Sequence, residues 1–289
     1  MKMKKTVSNI SMDVLVYTIL LFTAVITIVP FMRVITISMA PPEVATQYGM
    51  HLIPTQFSWD GYKKVFEYSL IWIGYGNTAV RVVIGTLLNM VLVVIGAYPL
   101  SKSYLPNLKF WTVVIIITMY FSGGMIPSYI LITKYLKLND SFWALILPTA
   151  VSAYNLIIVR NFFSQLPESL EESARLDGAG DWTILIRIIV PLSKPVLATV
   201  ALWCVVAHWN SWFDCLLYIQ SQKKFVLQLI LRQILLEGQN VDTSTTAVYV
   251  NNETMKMATI VVSTLPVLCI YPFLQKYFVQ GVMIGAVKG

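Results

Sequence analysis

The chain has 289 residues, of which 57% are apolar and only 12% are charged, and its mean hydropathy is +0.70. Because soluble domains carry roughly 25% charged residues, this composition excludes an ordinary soluble globular protein. The net charge is +7, but the 21 basic residues are scattered among long apolar runs, so no nucleic-acid partner is expected.

Six apolar runs are long enough to cross a lipid bilayer as helices. A bilayer core of about 30 Å needs roughly 20 residues in a helix, and the runs without charged residues are 14–32, 82–101, 110–133, 141–159, 195–213 and 257–275. Lipid-exposed backbone must be hydrogen-bonded within its own segment, so each run is expected to be an α-helix. The predicted fold is all-α: one polytopic membrane domain over 1–289. Its six transmembrane helices are expected at about 14–40, 77–101, 110–133, 141–163, 193–218 and 255–278.

The first run follows three lysines, Lys2, Lys4 and Lys5. It exceeds the length of a signal-peptide core, so a retained anchor is favoured over a cleaved signal peptide. The lysines favour a cytoplasmic N-terminus, and six spans then return the C-terminus to the same side. This orientation places eleven basic residues inside and ten outside, so charge alone does not decide it.

The connections between the runs differ in length and polarity. Residues 41–76 form a long outer loop whose aromatic stretch, 68–75, is too short to span and is interpreted as interfacial. Residues 102–109 and 134–140 form short hairpin connections. Two long polar loops, 160–194 and 219–253, are where function is expected, because the spans themselves look like packing.

The 160–194 loop carries nine charges and predicts two helices. Pro167 fits the first helical turn, where the following glutamates meet the positive end of the helix dipole. Gly178 supplies a left-handed stop, and the apolar segment 182–190 is followed by two prolines that return the chain to the membrane.

The spacing in this loop resembles the EAA signature of ABC importer permeases, EAA-x3-G-x9-I-x-L-P. Glu172, Ser173 and Ala174 precede Gly178 by three residues, and 188–191 read I-I-V-P after nine more; Ser173 and Val190 are conservative departures. In that family the loop is cytoplasmic, and its short coupling helix docks on the ATPase. The resemblance therefore implies a cytoplasmic coupling loop at 164–192, with both termini cytoplasmic, in a bacterial plasma (inner) membrane.

Other stretches are similar to the maltose-type carbohydrate branch of these permeases, at 121–127, 177–179 and 208–213. The closing residues 281–289 resemble a subgroup that imports pectin-derived or alginate-derived oligosaccharides. The resemblance implies the smaller of two permease subunits, working with a second homologous permease, two ATPase subunits and an extracytoplasmic solute-binding protein. The implied function is a permease subunit that forms half of the pathway for a carbohydrate, an oligosaccharide.

The resemblance assigns ATPase coupling to the residues around the signature, which are Glu171, Glu172, Ser173, Ala174, Leu176, Asp177, Gly178 and Ala179. Glu172 is expected to make the largest polar contact, and stabilisation of the helix dipole is its alternative role. Asp177 either caps the following helix or contacts the ATPase. Gly178 is expected to permit the turn between the two helices.

Polar side chains within spans are costly and are often functional. The candidate substrate path comprises Asn89, Asn155, His208, Trp209, Asn210 and Trp212, since amides beside aromatic rings suit a sugar. Interhelical hydrogen bonding is the alternative for Asn210, and an interfacial belt is the alternative for the tryptophans. Arg33 and Arg81 lie near predicted outer ends of spans, where snorkelling is the ordinary explanation and attraction of an acidic sugar the alternative. Asp214 lies near such an end too and is expected to be solvated.

The second polar loop, 219–253, is the predicted contact with the solute-binding protein, because the equivalent loop in the maltose-type family reaches that protein's sugar cleft. Gln239, Asn240 and Asp242 are the candidate tip residues, and a disordered connection is the alternative.

Motifs for independent chemistry are missing from the sequence. There is no GxxxxGK[ST] motif, so ATP must be hydrolysed by a partner, and no HExxH or GxSxG motif, so the chain is not expected to be an enzyme. Three cysteines without metal spacing and two distant histidines predict no disulfide, metal or cofactor. A stand-alone secondary transporter and an ABC permease for a non-sugar solute remain the rival functions.

Overall fold

The computed structural model describes residues 7–41, 45, 52–54, 56–236 and 253–286. All regular structure in these ranges is helical, which confirms the all-α prediction. The chain divides into two compact units, residues 1–69 with 231–265 and residues 70–230 with 266–289. The candidate site lies in the second unit.

The first unit contains the N-terminal helix α1 (Val7–Ser38) and the short helix α2 (Asp60–Glu67). Residues 12–38 of α1 are long and apolar enough to cross a membrane. Most of their side chains are exposed, as expected for a helix that faces lipid. At the end of α1, Ser38 Oγ lies 2.8 Å from the Tyr62 hydroxyl of α2 and Thr36 Oγ1 donates to the Leu52 carbonyl at 2.7 Å. These bonds tie the end of α1 to the segment that follows it.

The second unit is organised around α3 (Ser69–Leu100), a helix of 32 residues. Its buried residues recur every three or four positions and so form one stripe: Ile71, Gly74, Thr78, Arg81, Gly85, Asn89, Val93 and Ala97. The helix begins at Ser69, before the predicted span at 77–101, so residues 69–76, which were assigned to the 41–76 loop, are helical. The start of this span was predicted too late because Arg81 interrupts the apolar run. In the structure the charge of Arg81 is balanced inside the unit, so the helix continues through it. The interfacial position of 68–75 stays a prediction.

Two of the predicted spans, 110–133 and 141–159, are pairs of helices joined at a bend. Helices α4 (Leu108–Tyr120) and α5 (Met125–Ile130) are separated by the Phe121–Gly124 break, and a π-helical turn, Leu131–Tyr135, continues α5. The two arms meet at 105°. Gly124 has φ +88°, a left-handed conformation that favours glycine.

The next predicted span begins with two 3₁₀-helical turns, Phe142–Leu145 and Leu147–Thr149, which lie at 46° to α6 (Ala153–Phe163). The expectation that each apolar run forms one α-helix was therefore wrong for this run and for 110–133. Breakers inside both runs explain the difference, since Gly123-Gly124 and Pro148 interrupt the helical hydrogen bonding.

The 164–192 segment folds largely as its local signals predict. Helix α7 (Glu168–Leu176) follows Pro167 directly, and Gly178 is left-handed, with φ +81°. Then come α8 (Asp181–Ile184), a π-helical turn (Leu185–Ile189) and α9 (Val190–Leu192), which together meet α10 (Lys194–Asn210) at 83°.

After α10, the described part of the chain contains the helices α11 (Phe213–Tyr218), α12 (Leu227–Leu236) and α13 (Glu253–Ala286). Among the described residues, two single helices and three bent pairs give up to five crossings by length and composition. The sixth predicted span falls in α13, whose side chains are described only as far as residue 269. Six crossings therefore stay a prediction.

An apolar core joins α3, α6, the α8–α9 segment and α10. Its buried members are Val93, Ala97, Tyr98, Val159, Phe163, Ile184, Leu185, Ile189, Val196, Leu197, Val200 and Cys204. Leu166, Ala174 and Ala179 pack against its edge, so one side of α7 and the turn after it are anchored to the unit. Burial of these side chains leaves the other side of α7 at the surface.

Candidate functional site

Helix α7 presents a polar surface with one large apolar side chain at its end. Glu172, Ser173 and Asp177 are exposed, and Leu176 is 90% exposed, although leucine normally gains about 1.5–3 kcal/mol by burial. Ala174 and Ala179 face the core instead. The exposed side of α7 is thus a surface that a partner can cover.

Glu171 and Glu172, which the sequence assigned to the same role, point in different directions. Glu171 is buried and forms an ion pair with Lys102, and the two side chains are only 11% and 12% exposed. The Tyr98 hydroxyl donates to Glu171 Oε2 at 3.4 Å, and Lys102 Nζ lies 4.7 Å from the centre of the Tyr98 ring. Glu171 is therefore held within its own chain, whereas Glu172 is free of the core.

The turn after α7 is fixed by Gly178 and by an ion pair across it. A Cβ added at Gly178 would meet no atom within 4 Å, so the left-handed φ alone favours glycine there. Arg175 pairs with Asp181 at the start of α8 and donates to the Tyr104 hydroxyl at 3.2 Å. The Asp181 carboxylate raises the pKa of the Arg175 guanidinium above its ordinary value.

Asp177 does not cap the following helix. It ends α7, while α8 begins after Gly180 without a side-chain cap. The capping alternative for Asp177 was wrong because the N-cap position of α8 is occupied by Gly180, three residues further on. Its exposed position leaves contact with a partner as the remaining prediction.

A cavity of about 480 Å³ lies between α3, the 149–155 segment and α10. Its lining combines amides, hydroxyls, two aromatic rings and one guanidinium: Arg81, Asn89, Thr149, Ser152, Tyr154, Asn155, Trp203, Cys204, Ala207, His208 and Ser211. Three of the six predicted substrate-path residues, Asn89, Asn155 and His208, are brought together here.

Asn89 and His208 form the hydrogen-bonded floor of the cavity. Asn89 Nδ2 donates to the carbonyl oxygens of Thr149 at 2.7 Å and Ala150 at 2.8 Å, while His208 Nε2 lies 2.9 Å from Asn89 Oδ1. With Nδ2 used as the donor, Oδ1 is the acceptor and His208 Nε2 carries the proton. Asn89 thus ties α3 to two other segments and also lines the cavity.

Arg81 is 1% exposed and forms a buried ion pair with Asp214 on α11. Its Nη1 lies 3.2 Å from Asp214 Oδ1, and Nη2 contacts Oδ2. Asp214 Oδ1 also accepts hydrogen bonds from Ser211 Oγ and the Cys215 amide, both at 2.9 Å. Snorkelling of Arg81 was therefore a wrong expectation, whereas Asp214, at 20% exposure, is partly solvated as well as ion-paired.

The Nε–H donor of Arg81 is not used by the ion pair with Asp214. Arg81 Nε is buried and has no hydrogen-bond partner among the described residues, although Arg81 lines the cavity. A buried N–H that is left unpaired costs about 1–3 kcal/mol, so the cavity offers a hydrogen bond to an acceptor that enters it. Asp214, the ion-pair partner of Arg81, lies 133 residues away, so no local sequence pattern predicts the pair.

Comparison with known proteins identifies the family. A model of the binding-protein-dependent transport system inner membrane component matches residues 2–284. The chain belongs to this family.

Its relatives match over nearly their whole length. The polygalacturonan/rhamnogalacturonan transport system permease protein YtcP of Bacillus subtilis (strain 168) is 42% identical over 281 residues, which cover 96% of this chain and 98% of YtcP. Protein LplC of the same organism is 44% identical over 268 residues, covering 91% and 90% of the two chains. A crystal structure of a bacterial ABC transporter involved in the import of the acidic polysaccharide alginate matches with a TM-score of 0.88, 31% identity and coverage of 96% and 100%.

The family confirms that the chain is an ABC importer permease, as the EAA-like spacing predicted. It is a membrane-embedded transport subunit that works with a second permease, and ATP is hydrolysed by partner ATPase subunits. The permease family also depends on a solute-binding protein.

The other predicted path residues of the permease lie outside the cavity. Trp209 is buried, with its ring centre 6.3 Å from that of Tyr75 in an edge-to-face arrangement. Asn210 is exposed, and Trp212 packs its ring against Phe213 at 5.5 Å. Trp209 faces away because α10 turns its successive side chains by about 100°, and the side of α10 that lines the cavity carries Trp203, Cys204, Ala207 and His208.

The aromatic residues that line the cavity are Tyr154 and Trp203, which the sequence pattern did not indicate. The ring centres of Tyr154 and Trp203 lie 6.0 Å apart, with an interplanar angle of 34°. Helical spacing from His208 was the available signal, because Cys204 and Trp203 lie four and five residues before it.

The first part of the predicted binding-protein contact, residues 223–227, is held by the first turns of α3. Asn77 Nδ2 donates to the carbonyl oxygens of Lys223 and Phe225, both at 2.9 Å, and the Leu227 amide donates to Thr78 Oγ1 at 2.9 Å. Gln239, Asn240 and Asp242 lie outside the described residues.

A second polar anchor holds the same segment. Asp140 accepts the backbone amides of Gln220 and Ser221, both at 3.0 Å, and lies 2.8 Å from Lys224 Nζ. The Lys224 hydrogen bond and the two amides lower the pKa of Asp140 to about 2. The carboxylate therefore stays charged, and it pins the 134–140 connection to residues 220–224.

Proposed function

We propose that this chain is a permease subunit of an importer for acidic oligosaccharides of the galacturonan type. The observation that carries the proposal is the 42% identity to the polygalacturonan/rhamnogalacturonan permease, which extends over 96% of this chain. The high structural similarity to a transporter of the acidic polysaccharide alginate supports the same substrate class.

The cavity is suited to one sugar unit of such a substrate. Its volume of about 480 Å³ falls within the 300–1,000 Å³ typical of ligand pockets. Tyr154 and Trp203 offer apolar faces to the C–H groups of a pyranose ring. Arg81 Nε and the Asn155 amide offer donors to its hydroxyl groups. Among the described residues, Asn155 Nδ2 makes a weak contact with Cys204 Sγ at 3.5 Å.

Charge balance predicts which group of the substrate this cavity recognises. Arg81 is the one cation among the lining residues, and Asp214 neutralises it. A sugar carboxylate would meet the positive guanidinium and the negative Asp214 together, so it gains little net attraction. The proposal is that this subunit recognises hydroxyl groups, and that the carboxylates are recognised elsewhere in the importer.

The exposed side of α7 is the proposed ATPase contact. Glu172 and Asp177 supply negative charge there, and Leu176 supplies an apolar side chain for a groove. Docking of α7 on a cytoplasmic ATPase places residues 164–192 inside, and with six crossings both termini are cytoplasmic. Residues 219–253 then lie on the opposite side, where the solute-binding protein is.

Uptake by the reconstituted importer tests the proposal. The chain is assembled in vesicles with its second permease, the ATPases and the solute-binding protein, and uptake of oligogalacturonate, alginate oligomers and maltodextrin is compared. We expect ATP-dependent uptake of oligogalacturonate, and Trp203→Ala is expected to lower its initial rate about tenfold, equivalent to about 1.4 kcal/mol.

Trp143→Ala is the matched control, because Trp143 is an exposed tryptophan of the same unit that does not line the cavity. Its uptake rate is expected to equal that of the wild type. Uptake of maltodextrin alone would overturn the acidic substrate, and uptake that needs no ATPase would favour a stand-alone secondary transporter.

A further inference from the structure

Helix α3 bears contacts at three levels along its length. At about 1.5 Å per residue, its 32 residues span about 48 Å. Its first turns hold residues 223–227 through Asn77 and Thr78, and its middle supplies Arg81 and Asn89 to the cavity. Its last turn meets α7. One continuous helix therefore joins the cavity to the element proposed to dock on the ATPase.

The contact with α7 is a buried ion pair with an aromatic neighbour. Lys102 follows α3 directly, and its amide donates to the Pro99 carbonyl at 3.1 Å, so its backbone continues the last turn. Its ammonium group meets the Glu171 carboxylate of α7, with both side chains about nine-tenths covered. Tyr98, on α3 itself, contacts both members of the pair.

Such a pair restrains two helices more sharply than apolar packing does. Packed alanines such as Ala174 can slide over a core at small cost, whereas removing either member of a buried ion pair leaves an uncompensated charge. Separating Lys102 from Glu171 carries the same cost, so the ends of α3 and α7 must move together.

We propose that Lys102 and Glu171 are positioning residues that lock α7 to α3, so that movement of α7 by the ATPase is passed along α3 to the cavity. This proposal rests on the proposed docking of α7. It assigns different tasks to two adjacent glutamates: Glu172 contacts the ATPase, and Glu171 transmits the movement.

Charge reversal in the complete importer tests this transmission. The variants are Lys102→Glu, Glu171→Lys and the double variant with both changes, while Lys102→Arg keeps the charge. Lys109→Glu is the matched control, because Lys109 is an exposed lysine in the first turn of α4. For each assembled complex, the number of oligogalacturonate molecules imported per ATP hydrolysed is measured, together with co-purification of the ATPase.

Coupling between sites in proteins commonly changes equilibria about 5- to 150-fold. We expect each single reversal to keep the ATPase bound but to lower transport per ATP by more than about tenfold. The double variant should recover to within about threefold of the wild type, limited by a lysine placed near the N-terminus of α7. Lys102→Arg and Lys109→Glu should match the wild type.

Two results would overturn the proposal. Unchanged transport per ATP in both single variants would mean that α7 moves α3 without the pair. Loss of the assembled complex in the single variants, or no recovery in the double variant, would assign the pair to folding alone.

A distance measurement tests this proposal independently of which substrate the importer carries. Spin labels are placed at Val91 on α3 and Ser169 on α7, both exposed, in a background where the exposed Cys269 is replaced by serine. The wild type should give one narrow distance distribution with and without ATP, and Lys102→Glu should broaden it when ATP binds. A narrow distribution in Lys102→Glu would contradict the lock even if the importer carries another solute.

Discussion

Replacing Asp214 by asparagine tests how the buried charge of Arg81 is held. The guanidinium is 1% exposed, and it is paired with the Asp214 carboxylate, whose side chain is 20% exposed. Asparagine has nearly the same shape and retains an oxygen that can accept from Ser211 Oγ and the Cys215 amide. The substitution therefore removes the negative charge and the Oδ2 acceptor of Arg81 Nη2, and it leaves the other hydrogen bonds in place.

The expected cost follows from the burial of the pair. Removal of one partner of a buried ion pair destabilises a protein by about 3–5 kcal/mol. Asp214 is partly reached by solvent, so Asp214→Asn is placed near the lower end, at about 3 kcal/mol. Arg81→Gln combined with Asp214→Asn leaves no unpaired charge, so the double variant should be more stable than Asp214→Asn alone.

Unfolding of the permease by dodecyl sulfate in mixed micelles, followed by tryptophan fluorescence, measures these differences. The reasoning is refuted if Asp214→Asn lies within about 0.5 kcal/mol of the wild type, which is the range of ordinary surface substitutions. It is also refuted if the double variant is less stable than the single one, since the two charges would then not depend on each other.

Three further predictions concern single positions. Gly178→Ala should cost about 1–2 kcal/mol from the left-handed φ of +81°, with a smaller loss for Gly178→Asn; equal losses in the same unfolding assay would contradict this reason. An added Cβ at Gly85 would lie 2.5 Å from His208 Nε2, so Gly85→Ala should cost about 1–3 kcal/mol, whereas Gly76→Ala, with open space, should be neutral or stabilising. The folded pKa of Asp140 is about 2, below its ordinary 3.8, so its charge stabilises the fold above about pH 4 and loses that effect as the pH falls toward 2. The difference in melting temperature between wild type and Asp140→Asn should therefore be constant from pH 7 to about 4, and a loss already at pH 5 would contradict the contact.

Features with local sequence signals were predicted well. The start of α7 after Pro167, its end near Gly178 and the return toward the membrane at the prolines each depend on a few neighbouring residues. The spacing of Glu172 and Gly178 also indicated the family, because the whole pattern lies in one loop and can be recognised without knowing the tertiary structure.

Features that depend on distant partners were missed. Arg81 looked like the end of a span because its counter-ion, Asp214, is 133 residues away. The sequence could not distinguish Glu171 from Glu172 either, because Lys102, which forms the ion pair with Glu171, lies 69 residues earlier. The aromatic lining residue Trp203 was missed because the sequence does not show which side of α10 faces the cavity, and Trp203 and Trp209, six residues apart, lie on different sides of the helix.

Site-specific crosslinking from α7 tests the central claim most directly. A photoreactive amino acid is placed at Leu176, and at Tyr135 as an exposed control position beyond α5, in the complete importer in native membranes. The account predicts that position 176 crosslinks to the ATPase and that position 135 does not. An ATPase crosslink from position 135 but not from 176 would contradict both the coupling role of α7 and the orientation derived from it.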